Sequence, residues 1–406
     1  MTIELLLIIL CSLVVLSYFF TIISRYIKVP SVLLLLFAGI AFRLIAQQYQ
    51  LPIFIPSAIV QGLGVVGLIM IVLEAGLDLK ITKDKLGLIR SSFFSALVIL
   101  IVSAAAITAI LFYWLKEDIN RCIVYALPLS IMSSSIVLPS IHHLTKSKKE
   151  FLVYEASFSD IIGILLFNYF TGRELFTLQS IGSFSLNIVL AFILSLVVSF
   201  FLFWVMAKTK MNIKFFLVFA ILIVIYEGGK MLDLPSLLVI LVFGLMINNW
   251  EKIPFRKATR LFSHNEVVNI RQFMHSITAE SSFLVRTFFF VLFGFSMNLN
   301  FIHNPDVVLV GSLIVLALFL VRFFYLRFFF KTKLFPEVFL IPRGLVTIVL
   351  FYKIPASMQL SSFDDDILFF IVLATGIIMS IGMIFYKKGN DEIIEEPQFA
   401  EQKNIL

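Results

Sequence analysis

Residues 151–171 read FLVYEASFSDIIGILLFNYFT, an apolar run interrupted by two carboxylates, Glu155 and Asp160. An α-helix needs about 20 residues to cross about 30 Å of hydrocarbon, and a charge inside it costs about 3 kcal/mol. Asp160 follows the basic anchor Lys149 by 11 residues, about 16 Å of helical rise, which puts it near the midplane of such a span. An acid that deep needs a partner or a purpose. Glu155 lies about 140° away around the same helix, so the two carboxylates face different neighbours.

The rest of the chain has the same character. Of its 406 residues 60% are hydrophobic and 14% charged, far from the composition of a water-soluble domain. Further apolar runs place spans at about 3–23, 29–47, 57–79, 90–115, 120–142, 180–207, 213–229, 234–249, 279–299, 306–329, 335–354 and 364–386, thirteen with the run above. The expected fold is all-α and polytopic, a transmembrane domain over 1–388. The first run has no basic leader and no small-residue cleavage site, so it is expected to stay as a span. Residues 249–278 read as a cytoplasmic linker or amphipathic helix, with Phe262, Val267, Ile270, Phe273 and Met274 at helical spacing. The tail 389–406 is acidic and expected to be disordered.

The basic residues test the count. Loops after odd-numbered spans, with the C-terminal tail, carry 23 of the 32 Lys and Arg; loops after even-numbered spans carry six, and Arg286, Arg322 and Arg343 lie inside spans. That segregation predicts an external N-terminus and a cytoplasmic C-terminus, and explains the basic excess without nucleic acid. Cys11 and Cys122 have no metal-binding or redox spacing. The five histidines fall at loops or span ends; His275, near the inner opening, is a candidate pH sensor.

Two spans are marked as interrupted. Residues 128–140, PLSIMSSSIVLPS, put Ser133, Ser134 and Ser135 near midplane between two prolines, and residues 342–344 read Pro-Arg-Gly. Unwound backbone at that depth is tolerated where it lines a cavity or is covered by protein. Spans four to six and eleven to thirteen would each be a triplet with a broken middle helix, in opposite orientations because their spacing is odd. Two such units form an inverted repeat with two crossed discontinuous helices, and Asp160 would face the crossing. Arg322 and Arg343 lie deep on different helices, either within reach of an acid at midplane. Glu74 and Arg286 are candidates for the cavity wall.

Buried carboxylate, serine hydroxyls and broken helices suit a hard monovalent cation and the proton that competes with it. A sodium-coupled solute symporter uses the same devices, and a potassium efflux channel or transporter is a further alternative. An intramembrane aspartyl protease needs two facing aspartates, and only Asp160 is deep.

The segment Glu155-Ala156-Ser157-Phe158-Ser159-Asp160 resembles the E-S-L-L-N-D segment of the sodium/proton exchanger branch of the cation/proton antiporter superfamily. Leu73 to Leu79, Phe288 to Gly294 and Pro342-Arg343-Gly344 are also similar to family segments. The resemblance implies a transporter rather than an enzyme, without cofactor, that exchanges Na+ or K+ for H+ in a bacterial inner membrane, as a homodimer. It implies that Asp160 binds the cation or proton, with Ser157, Ser159 and Ser133 to Ser135 around it. It also implies that Glu155 pairs with Arg322 and that Arg343 stabilises the second crossover. Where the exchangers carry T-D-P this chain has Ser133-Ser134-Ser135, closer to potassium-efflux relatives, and Ser159 stands where they have Asn or a second Asp. A single ion-binding carboxylate suggests one-for-one, electroneutral exchange.

Overall fold

The computed structural model describes residues 3–50, 57–172, 178–208, 214–231, 236–250, 264–297, 304–330, 335–360 and 363–386. The helices are α1 (Ile3–Ile27), α2 (Ser31–Gln48), α3 (Ser57–Asp78), α4 (Leu86–Leu115), α5 (Ile119–Ser130), α6 (Ser134–Ser140), α7 (Lys146–Phe170), α8 (Leu178–Lys208), α9 (Lys214–Met231), α10 (Ser236–Asn248), α11 (His264–Ser296), α12 (Pro305–Tyr325), α13 (Leu345–Tyr352) and α14 (Asp366–Phe385). With α5 and α6 taken as two halves of one span, they reproduce the thirteen predicted spans in order. Eight helical stretches among the described residues are long and apolar enough to cross a membrane by length and composition alone. Residues 251–263 and 387–406, which include part of the predicted linker and the whole predicted tail, lie outside the described residues. The C-terminal part of that linker, 264–278, runs without a break into the tenth span as α11.

Packing separates two bundles. In one, α11 lies against α2 and α3, α3 against α10, and α10 against α8 and α9. Backbones approach closely here: a Cβ on Gly39 of α2 would run into the Val291 carbonyl of α11, and one on Gly294 into Leu36 of α2. Small residues permit such contact where lipid gives helices no hydrophobic reason to associate. In the other bundle α4 packs on α5 and α7, and α12 on α4 and α14. We call the first the panel and the second the core. The core holds both predicted triplets, and α13 touches the panel through α3.

The breaks fall where the sequence places them. Asp118 caps α5, its carboxylate accepting from the Asn120 N–H at 3.0 Å, and Pro128 sits in the last turn before the helix stops at Ser130. Ile131 and Ser133 are extended, and α6 starts at Ser134. In the twelfth span a short 3-10 turn, Glu337–Phe339, is followed by non-helical chain to Gly344 and then α13. The two unwound segments cross and are stitched by a backbone hydrogen bond from Ser133 N–H to the Pro342 carbonyl, 3.0 Å. Only glycine fits at 344: a Cβ there would stand 2.5 Å from Ser133 Oγ.

Candidate functional site

Asp160 points into this crossing from α7. Its side chain is buried, at 3% exposure. Oδ2 accepts from the Ser134 N–H at 3.2 Å and from the Ser134 hydroxyl. Oδ1 is buried and accepts no hydrogen bond among the described residues. One oxygen of the carboxylate is therefore clamped by the first residue of α6, and the other has no described partner. An ionised carboxylate without a compensating cation is costly in so dry a setting.

Serines surround it, in three different roles. Ser157, three residues earlier on α7, lies on the same helical face; it is buried and its Oγ finds no partner among the described residues. Ser159 Oγ instead accepts from the Met132 N–H at 2.9 Å and so satisfies unwound backbone. Ser133 and Ser135 hydroxyls bond each other at 2.8 Å. Of the five predicted serines, Ser134 alone is bonded to Asp160 among the described residues. Among the described residues no three His, Cys, Asp or Glu side chains converge as a resident metal site would require.

The question of which arginine meets Glu155 has a plain answer in the geometry. Arg322 of α12 reaches Glu155 with Nη2 at 2.9 Å from Oε2 and Nη1 at 3.3 Å from Oε1. Both side chains are about 2% exposed or less. Ser95 of α4 adds a hydrogen bond to Oε1 at 2.6 Å, and Arg322 Nε donates to the Glu337 carbonyl at 2.6 Å. All of this ties α7, α4, α12 and the second unwound segment together.

Arg343 has a different task. Its Nε donates to Leu129 O at 2.6 Å and its Nη2 to Ser130 O at 3.2 Å, the two carbonyls that end α5, while Nη1 reaches Ile341 O at 2.9 Å. The last carbonyls of a helix have no intrahelical donor and carry its negative dipole end, so a buried guanidinium answers both needs. Thr375 of α14 accepts from the Arg343 N–H at 3.1 Å. Arg343 sits in the second unwound segment and holds the first.

Glu155, Ser159, Arg322 and Arg343 line a small cavity beside the crossing, with room for about one water molecule. Glu74 and Arg286 do not border it. They face each other on α3 and α11, 3.6 Å apart, where Glu74 Oε2 also accepts from Ser282 Oγ at 2.6 Å. His275 bonds Asp78 at 2.9 Å on the same pair of helices.

Several residues of the site gave no signal in the sequence. Ser95 and Thr375 look like any hydroxyl in an apolar span, and Glu337 lies at the edge of the twelfth. Lys353, at the end of α13, bonds the Tyr226 hydroxyl of α9 and stands 4.6 Å from the centre of that ring. That contact joins core to panel at the end of the molecule opposite Lys146. A lysine beside an apolar run is the only sequence hint it leaves.

The fold is shared with solved structures. The sodium proton antiporter MjNhaP1 of Methanocaldococcus jannaschii at pH 8 superposes with a TM-score of 0.69 and 19% identity, over 95% of this chain and 98% of that one. A second structure of that antiporter, from electron microscopy, gives 0.65 at 19% identity, covering 95% of each chain. No curated protein matches the chain significantly by sequence. The family profile described as sodium/hydrogen exchanger, transmembrane, matches residues 12–386, nearly the whole length and every span but the start of the first, so the chain belongs to the sodium/hydrogen exchanger family.

Proposed function

We propose that the protein is an electroneutral antiporter that exchanges one monovalent cation, Na+ or K+, for one proton by competition at Asp160. The observation that carries this reading is the half-satisfied carboxylate: Oδ2 is held by Ser134, and Oδ1 is buried with no partner among the described residues, on the helical face that also carries Ser157. Either positive charge relieves the cost of the buried anion, and both cannot occupy it together, so competition couples the two fluxes. Ser134 and Ser157 hydroxyls, with unwound carbonyls of the crossing, supply the hard oxygen donors an alkali cation prefers. The arginines do not stand in for the substrate, because Arg322 is bound to Glu155 and Arg343 to the α5 carbonyls.

Alternating access in this reading is a movement of core against panel. Lys353 with Tyr226 closes one end of the boundary, which the distribution of basic residues assigns to the outside. The N-terminus is then external, in a bacterial inner membrane, with a homodimer as the family resemblance suggests.

The test is a pH-gradient assay in proteoliposomes with sodium, potassium and lithium compared, with and without a clamped membrane potential. The parent should move protons against Na+ or K+ at a rate indifferent to the clamp, and Asp160→Asn should not move them at all. Cation-driven proton movement surviving in Asp160→Asn removes Asp160 from the mechanism; a rate that follows the clamp removes one-for-one exchange.

A further inference from the structure

Ser134 is the sole described donor to Asp160, so the position of α6 decides how the carboxylate is presented. The next residue, Ser135, is the point at which α6 can be held from outside. In an α-helix the carbonyl of residue 135 accepts from the N–H of residue 139, and Pro139 has none. Arg286 Nη1 donates to that freed carbonyl at 3.4 Å. It comes from the other bundle: Arg286 belongs to α11 of the panel, α6 to the core.

The guanidinium is itself fixed on the panel side. Nε donates to Ser282 O at 3.3 Å, one turn earlier on α11, and Nη2 lies 3.6 Å from Glu74 Oε1 on α3. Two of the three nitrogens are thus committed to the panel and the third reaches the core. A rigid planar fork transmits such a constraint in a way a single ammonium does not.

We propose that Arg286 is a positioning residue for the cation site, holding the Ser135 carbonyl so that the adjacent Ser134 presents its N–H and hydroxyl to Asp160. The inference rests on the reading of Asp160 as the ion site. It assigns a specific job to Pro139, which is to leave Ser135 O open. It also makes the ion site sensitive to the relative position of the two bundles.

The experiment measures cation KM and maximal rate in proteoliposomes for Arg286→Gln, Pro139→Ala, the double variant and Asp160→Asn. Arg286→Gln should raise the cation KM about five- to tenfold with the maximal rate within about twofold, the scale of one ordinary hydrogen bond lost. Pro139→Ala, which supplies the missing helical donor and competes with Arg286, should move KM the same way. The double variant should be no worse than the more affected single, because both cut one contact. The direction is diagnostic: a bare positive charge repelling cations from the pathway would give a lower KM on neutralisation, and a purely structural role would lower stability with KM unchanged. Either of those results, or KM increases that multiply in the double variant, overturns the proposal. If Arg286→Gln does not fold, Pro139→Ala alone decides, and a parental KM there overturns it. A dead Asp160→Asn beside a parental Arg286→Gln sinks this inference alone, whereas exchange surviving in Asp160→Asn sinks the ion-site reading and this inference with it.

Discussion

Glu155 is the residue whose removal should damage the fold most for the fewest atoms lost. It is 1% exposed and carries two bonds from Arg322 and one from Ser95. Glu155→Ala leaves the Arg322 guanidinium buried with only the Glu337 carbonyl as described partner. Stranding one member of a buried ion pair costs about 3–5 kcal/mol. Replacing both members with apolar residues of similar size removes two desolvation costs together and is often neutral or stabilising. Thermal unfolding in detergent should therefore show a large fall in melting temperature for Glu155→Ala, and a double variant Glu155→Leu with Arg322→Met much closer to the parent. The double will not recover fully, since the Glu337 carbonyl loses its Arg322 donor, worth about 1 kcal/mol. Melting of Glu155→Ala indistinguishable from the parent would refute the pairing as a structural element. Additive losses in the double would show that the two residues act separately.

The remaining expectations concern transport. If one proton and one cation compete for Asp160, lowering the pH below the range where the site is free of protons should raise the apparent cation KM about tenfold per pH unit at constant maximal rate; a KM flat with pH contradicts competition. Gly344→Ala puts a methyl group against Ser133 Oγ, and should abolish exchange while the protein still elutes as a folded species; normal exchange would mean that the crossing tolerates separation. Lys353→Met and Tyr226→Phe each loosen the contact between core and panel at that end, so a cysteine introduced at Leu350 should be labelled faster from the outside than in the parent background. Equal labelling rates would leave that contact without a gating role.

How much of this was legible beforehand differs residue by residue. Asp160 stood out because a carboxylate in a long apolar run has a local cost, and the basic residues that flank the run give its depth. Pro128, Ser133 to Ser135 and Pro342-Arg343-Gly344 marked both interruptions for the same reason, since backbone chemistry at a proline or glycine is a property of the residue itself. The three central serines looked equivalent in the sequence; in the fold Ser134 clamps Asp160, Ser133 and Ser135 bond each other, and Ser159 serves the Met132 backbone. Glu74 and Arg286 were read together as candidates for the cavity wall, and the fold pairs them with each other across α3 and α11, a contact the sequence did not suggest.

The sequence alone determined the number of spans, the sites of the breaks and the deep acid, because the penalty for exposing charge or unpaired backbone to hydrocarbon depends on depth, and depth is counted along the chain. Only the tertiary structure decided that Arg322 rather than Arg343 meets Glu155, that Arg343 grips the carbonyls ending α5, and that Arg286 crosses between bundles to Ser135. Those partnerships depend on how helices rotate and pack beside one another, which periodicity within a uniformly apolar span does not encode.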